Sequence, residues 1–168
     1  APLSSRLVKI RHRLTIVWLL TGLNLLNYLD RYVVNAVGPR VQDAFHLSDQ
    51  RLGWVISAFM IGYFVTSPLF GALGDRLPRK GLIAAGVLVW SVATFASGLA
   101  GLPRFAGAAG SFVLLITARI FVGVGEASYA TLSPTIIDDL TSAAAKNRWL
   151  SLFYAAIPVG SACGFALG

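Results

Sequence analysis

The stretch from Ser111 to Leu140 is a long apolar run that ends in Asp138 and Asp139 but also contains Arg119 and Glu126 well inside it. An ionised side chain at the centre of a bilayer costs about 2.5–3.5 kcal/mol on insertion scales, so a membrane helix retains one only where it faces protein or water. Arg119 and Glu126 are seven positions apart. At about 100° per residue this spacing places both on one helix face. The sequence therefore predicts a membrane helix whose polar face is turned away from lipid.

Small residues lie between and after these two charges along the same predicted helix. They are Gly123, Gly125, Ala127, Ser128 and Ala130. Small side chains allow another helix or a bulky ligand to approach the backbone closely. We therefore expect a close-contact surface here, with either kind of partner.

Composition excludes several classes of protein. Apolar residues make up 56% of the chain and charged residues 12%, whereas soluble domains carry about 25% charged residues. The formal charge of +7 does not indicate a nucleic-acid partner, because the Lys and Arg residues lie in short clusters between apolar runs. With Cys163 as the only cysteine, the chain offers no disulfide of its own and no multi-cysteine metal site. We expect no metal and no cofactor.

Five apolar runs are each long enough to cross a hydrocarbon core of about 30 Å. A basic arm over residues 1–13 precedes the first of them. Ser48 is expected to cap the helix that follows the first polar loop. A glycine-rich loop, LPRFAGAAG, is expected before the fourth run. The spans are predicted at about residues 14–37, 51–73, 81–101, 111–137 and 149–168.

Polar residues interrupt the second half of the first span. Asn24, Asn27 and Arg31 follow the three- and four-residue spacing of one helix face. Asp30 is about 100° away from Arg31, so one of these two is expected to contact a neighbouring helix. Alternatively, the pair lies at the membrane interface, because a long side chain near a helix end can extend its charge to water.

The distribution of basic residues predicts the orientation. Nine of the 14 Lys and Arg residues fall on the side of the N-terminal arm and three on the other side. This bias places the N-terminus in the cytoplasm. Five spans then leave residue 168 on the opposite side in the middle of a fold, so we expect the chain to be part of a larger protein. We expect a multi-pass protein of the plasma or inner membrane rather than of an organelle.

Two motifs resemble the major facilitator superfamily. GALGDRLPRK, between spans two and three, resembles the signature G-x-L-x-D-R-x-G-R-R/K, with Pro78 where the signature has glycine. RIFVGVG in span four resembles the pattern R-x-x-x-G-x-G. Three further segments, NLLNYLDRY, GEASYATLSPTIIDDL and LSLFYAAIPVGSACG, resemble the spinster branch, whose members move sphingosine-1-phosphate or lysophospholipids.

This resemblance implies a fold and the place of the functional residues. Superfamily members have two six-helix bundles built from inverted repeats, with the substrate site between the halves. The chain would be an all-α N-terminal bundle of five spans, lacking a sixth span and a C-terminal bundle. Spans one and four would line a common cavity. Asp75, Arg76 and Arg79 would form a cytoplasmic latch, or else serve only as topogenic charges. The Asp75 carboxylate is expected to cap either the third span or a helix of the other half.

The expected function is secondary active transport by alternating access, coupled to protons, of an amphipathic anionic lipid such as a lysophospholipid or a sphingosine-1-phosphate-like molecule. Glu126 is the predicted proton-exchanging residue, with Asp30 as the alternative. Desolvation disfavours a charged carboxylate and a nearby guanidinium favours it, so an anion that occupies an arginine would promote protonation of Glu126. A static ion pair between an arginine and Glu126 is the structural alternative. The predicted substrate-binding residues are Arg31, Arg119, Asn27 and Tyr129.

Other functions were weighed against transport of a lipid. An exporter of drugs or small organic anions fits the same motifs, and a channel or receptor would be indicated by flux that does not saturate. An enzyme is not expected, because the spans contain neither a nucleophile with its base nor a metal-binding cluster; we predict no catalytic residues. The expected partners are the lipid-like substrate, protons and the bilayer, without nucleic acid, and the expected state is a monomer.

Overall fold

The structure is a computed structural model that describes the backbone of residues 3–101 and 108–168 and the side chains of residues 11–101 and 110–168. Arg104, most of the predicted glycine-rich loop and the side chains of the basic arm before residue 11 lie outside these ranges. The described residues form helices and no strand, which confirms the all-α class. The helices are α1 (Leu3–Ala36), α2 (Gly38–Ala44), α3 (Asp49–Gly74), α4 (Arg79–Leu99), α5 (Ala108–Leu140) and α6 (Ala143–Leu167).

Four of the described helices, α3 to α6, are long and apolar enough to cross a membrane. Five spans were predicted, so the count differs by one. The difference is α1, which has 34 residues and is absent from this set. Its second half contains Asn24, Asn27, Asp30 and Arg31, and these side chains lower its mean hydropathy. The all-α membrane fold stands, while the membrane crossing of α1 stays a prediction.

The short helix α2 lies where the sequence predicted only a polar loop. Pro39 is in its first turn, a position that suits proline because the missing N–H would have no partner there. Val41 and Phe45 pack against a core cluster that includes Leu47. Seven residues are too few for helical periodicity to be recognised in a sequence. Beyond α2, the prediction for Ser48 is confirmed: its hydroxyl accepts the backbone N–H of Arg51 at 3.4 Å and caps α3.

The chain divides into two compact units. One comprises Ala1–Ala36 and Ser133–Gly168, which contain α1, α6 and the end of α5. The other comprises Val37–Leu132, which contain α2, α3, α4 and the greater part of α5. Each unit has its own close helix packing.

In the first unit, α1 and α6 are in backbone contact. A Cβ atom at Gly160 would lie 2.6 Å from a carbonyl oxygen of α1, and one at Gly164 would lie 2.7 Å from another. The Asn24 side-chain amide donates a hydrogen bond of 2.9 Å to the carbonyl oxygen of Phe153. Gly160 and Gly164 therefore form a groove on α6, and α1 is the helix that occupies it.

In the second unit, α5 packs closely on α3 and on α4. A Cβ atom at Gly123 would overlap the carbonyl oxygen of Phe59 on α3, and one at Gly125 would overlap the carbonyl oxygen of Gly86 on α4. The Ser128 hydroxyl donates a hydrogen bond of 2.8 Å to a carbonyl oxygen of α4. Of the two partners predicted for this small-residue surface, helices are the ones that contact it at these positions.

Candidate functional site

The two charged residues in the middle of α5, Arg119 and Glu126, are withdrawn from the surface, as their spacing predicted, whereas Asp138 and Asp139 at its end are exposed. The exposed fraction is 5% for Arg119 and 0% for Glu126. The most apolar window of α5 is 50% buried, compared with 22% for those of α3, α4 and α6. Among the candidate spans, α5 is therefore the one most surrounded by protein. Charges retained in such a span indicate a functional site, because burial without a compensating use is costly.

The guanidinium of Arg119 lies over an aromatic ring of α3. Its Cζ atom is 5.3 Å from the centroid of the Phe59 ring, within the distance of about 6 Å at which a cation–π interaction operates. Phe59 is itself buried and belongs to a core cluster with Trp90 and Val122. The guanidinium is thus held beside a buried apolar cluster of the second unit.

The position of Glu126 is set by the contact between α4 and α5. Its neighbour in the chain, Gly125, approaches α4 so closely that an added Cβ atom would lie 2.6 Å from the backbone nitrogen of Trp90. Tyr129 follows on the same helix and is fully buried. The structure therefore places Arg119, Glu126 and Tyr129 in the interior, on one rigidly packed helix.

The polar residues of α1 differ from one another in burial and contacts. Asn27 is 1% exposed, and its side-chain nitrogen has no hydrogen-bond partner among the described residues. Asp30 and Arg31 are half-buried. The guanidinium carbon of Arg31 lies 4.8 Å from the ring centroid of Tyr28. Asn27 thus carries a buried donor suited to an acceptor atom of a ligand.

The predicted site residues fall into both units. Asn27, Asp30 and Arg31 belong to the first, and Arg119, Glu126 and Tyr129 to the second. That they share one cavity stays a prediction, as does the division of roles among them.

The predicted latch lies at the junction of α3 and α4. Asp75 and Arg76 are exposed, and the Arg79 Nε donates a hydrogen bond of 3.2 Å to the carbonyl oxygen of Gly74. Arg79 thereby satisfies a carbonyl at the C-terminal end of α3. Capping of the third span by Asp75 was one expectation, and it is wrong. Asp75 is the C-cap residue of α3, while Pro78 holds the N-cap position of α4 without any side-chain cap hydrogen bond.

Sequence reasoning missed the aromatic surroundings of Arg119. Phe59 and Tyr63 are four residues apart, so they share one face of α3, and their ring centroids are 5.9 Å apart. That spacing could have identified an aromatic face. It could not have identified Arg119 as its partner, because nothing in the sequence states which helices are in contact.

Comparisons with known proteins agree with this architecture. The family model described as Major Facilitator Superfamily matches residues 20–168. Protein spinster homolog 1 from Bos taurus is 44% identical over 157 residues, which are 94% of this chain and 28% of that protein. The sphingosine-1-phosphate transporter SPNS2 from Mus musculus is 43% identical over 145 residues, which are 86% of this chain and 25% of that protein.

A solved structure has the same fold. It is the crystal structure of a bacterial homolog of the human lysosomal transporter spinster in an inward-facing, unoccupied conformation. Its TM-score is 0.74 and its identity 24%, over 88% of this chain and 29% of that one. SPNS2 is by name a transporter rather than an enzyme, in agreement with the expectation that the chain does not belong to an enzyme.

The chain spans a little over a quarter of the length of the relatives that it matches. The family model nevertheless covers most of the chain, and the helices fit it. This multi-pass, all-α membrane chain is similar to spinster proteins and belongs to the Major Facilitator Superfamily.

Proposed function

We propose that this chain is part of a secondary active transporter that moves an amphipathic anionic lipid by alternating access, in exchange or together with protons. The observation that carries the proposal is the burial of Arg119 and Glu126 in the span most enclosed by protein. A cation and a titratable carboxylate on one buried helix face provide an anion-binding group and a proton-binding group. The small residues of α5 make its packing contacts, so helix packing does not explain why a cation and a carboxylate are buried there.

The substrate class follows from the charge of the site and from the relatives. SPNS2, to which this chain is similar, is by name a sphingosine-1-phosphate transporter. We propose that Arg119 and Arg31 bind the anionic headgroup of a lysophospholipid or a similar lipid, with Asn27 and Tyr129 donating further hydrogen bonds. The unsatisfied side-chain nitrogen of Asn27 supports this role, since an unmet buried donor costs about 1–3 kcal/mol that a ligand acceptor can offset.

Coupling depends on competition for the arginines. Glu126 is favoured as a carboxylate while a guanidinium faces it, and as a carboxylic acid once the substrate anion occupies that guanidinium. Substrate and proton then influence each other's binding by the same factor. Asp30 is the alternative proton site. Asp75 and Arg76 would act as the latch that favours one access state. The N-terminus would lie on the cytoplasmic side of a plasma or inner membrane, and the protein would be monomeric.

Uptake into proteoliposomes tests this function. The protein that contains this chain is reconstituted, and entry of a labelled lysophospholipid is followed with and without an imposed pH gradient. We expect saturable uptake that the gradient accelerates. Glu126→Gln, which mimics the protonated carboxyl group, should abolish the acceleration and retain substrate binding.

The matched control is Asp43→Asn, which removes a carboxylate from an exposed position on α2 and should transport normally. Full gradient-driven uptake by Glu126→Gln would exclude Glu126 as the coupling residue. Uptake by the unmodified protein that rises linearly with substrate concentration would indicate a channel instead of a transporter.

A further inference from the structure

The guanidinium of Arg119 lies against the ring of Phe59, which is itself held in place by its neighbours. The Arg119 Cζ lies 5.3 Å from the centroid of Phe59, and the exposed fractions are 5% and 3%. In this buried pair the electrostatic attraction between the cation and the ring face is screened little by water. The contact joins α3 to α5 within one compact unit.

Two backbone contacts hold the ring and the guanidinium in register. A Cβ atom at Gly123 would overlap the carbonyl oxygen of Phe59, and one at Gly62 would overlap the carbonyl oxygen of Ile120. The first contact involves Phe59 directly, and the second involves the residue that follows Arg119. Because backbone atoms meet at both places, α3 and α5 cannot slide along each other without opening the contact.

The ring is also supported by other aromatic residues. The ring centroid of Tyr63 lies 5.9 Å from that of Phe59, with a tilt of 33°. Phe59 packs in a buried cluster with Trp90 and Val122. A ring held on several sides keeps one orientation and presents one face to its partner.

We propose that Phe59 is a positioning residue for Arg119, holding the guanidinium by a cation–π contact in the orientation that binds an anionic headgroup. An aromatic ring has no net charge, so this contact orients the buried guanidinium and does not itself cancel its positive charge. Discrimination between anionic and neutral lipids then depends on Phe59 as well as on Arg119. This inference rests on the proposed function, in which Arg119 binds the substrate anion.

A double-mutant cycle in ligand-free protein tests the contact itself. The thermal unfolding midpoint is measured for the unmodified protein, Phe59→Leu, Arg119→Gln and the double variant. Any cavity left by Phe59→Leu is present in both backgrounds and cancels in the cycle. We expect Phe59→Leu to lower the midpoint more when Arg119 is present than when glutamine replaces it. Additive effects would overturn the inference.

Binding of two probes tests the functional consequence. Oleoyl lysophosphatidate is the anionic probe, and monoolein, with the same acyl chain, is the neutral one. Phe59→Leu should raise the Kd of the anionic probe about three- to thirtyfold, the range expected for loss of a cation–π contact, and leave the Kd of monoolein unchanged. Phe59→Tyr retains the ring face and should bind both probes as the unmodified protein does.

The outcomes separate this inference from the proposed function. An equal loss of affinity for both probes in Phe59→Leu would assign Phe59 to packing alone and overturn the inference. Unmodified protein that binds both probes equally would refute the anion-binding role of Arg119, and with it the selection of headgroups through Phe59. The ligand-free cycle would still decide whether Phe59 holds the guanidinium.

Discussion

Substitution of Gly125 by alanine is expected to separate α4 from α5 at the residue next to Glu126. The added Cβ atom would lie 2.6 Å from the backbone nitrogen of Trp90, whereas ordinary contact begins at 3.4 Å. The helices must therefore move apart by at least about 0.8 Å, and further to clear the carbonyl oxygen of Gly86, because backbone atoms cannot rotate away as a side chain does. Overpacking of this kind costs about 1–3 kcal/mol.

The same displacement breaks a hydrogen bond. The Ser128 hydroxyl is 2.8 Å from the carbonyl oxygen of Leu82, and a shift of about 0.8 Å takes the pair beyond hydrogen-bonding distance. That loss adds about 1 kcal/mol. We expect Gly125→Ala to lower the free energy of unfolding by about 2–4 kcal/mol in total and to reduce transport, since Glu126 is displaced with its helix.

Denaturant unfolding in micelles, followed by tryptophan fluorescence, measures the change in stability. Gly98→Ala on α4 is the matched control, because nothing lies within 4 Å of the added Cβ atom. It should be neutral or stabilise α4 by up to about 1 kcal/mol through helix propensity. If Gly125→Ala unfolds at the same denaturant concentration as Gly98→Ala, the close packing of α4 on α5 is refuted.

Two further predictions concern α1 and the loop between α3 and α4. Asn24→Ala should lower the free energy of unfolding by about 0.5–1.5 kcal/mol, because it removes the hydrogen bond from α1 to the carbonyl oxygen of Phe153 on α6. Asn27→Ala should cost less stability and weaken lysophospholipid binding. Equal losses of stability in denaturant titrations would contradict the separate roles. Asp75→Asn should change the balance of inward- and outward-open states, measured by labelling introduced cysteines from each side of the membrane. Unchanged labelling on both sides would leave Asp75 with a topogenic role only.

The presence of the long helices could be predicted because hydrocarbon thickness fixes their length and apolar composition reveals them. Sequence reasoning has less support at α1, where polar residues in the second half lower the mean hydropathy, and the membrane crossing of α1 stays a prediction. The same reasoning missed α2, whose seven residues are stabilised by packing of Val41 and Phe45 rather than by a recognisable pattern. Short helices depend on tertiary contacts, and these are not visible in one sequence.

The candidate site was accessible to sequence reasoning in part. The rarity of charge inside an apolar run identified Arg119 and Glu126, and small residues predicted close contact around Gly125. The partners were not predictable, because a small-residue face fits either a helix or a ligand. Predicting the contact of Phe59 with Arg119 would require knowing that α3 adjoins α5 in a particular register. That register is set by close backbone contacts at Gly62 and Gly123.

Proton uptake on substrate binding tests the central claim most directly. Purified protein in lightly buffered detergent solution is mixed with oleoyl lysophosphatidate, and the change in pH is recorded with an indicator dye. If the anion takes over an arginine that faces Glu126, binding must draw a proton from solution, and Glu126→Gln must bind the lipid without that proton. Proton uptake of equal size in Glu126→Gln, or binding to the unmodified protein with no uptake, would contradict the account.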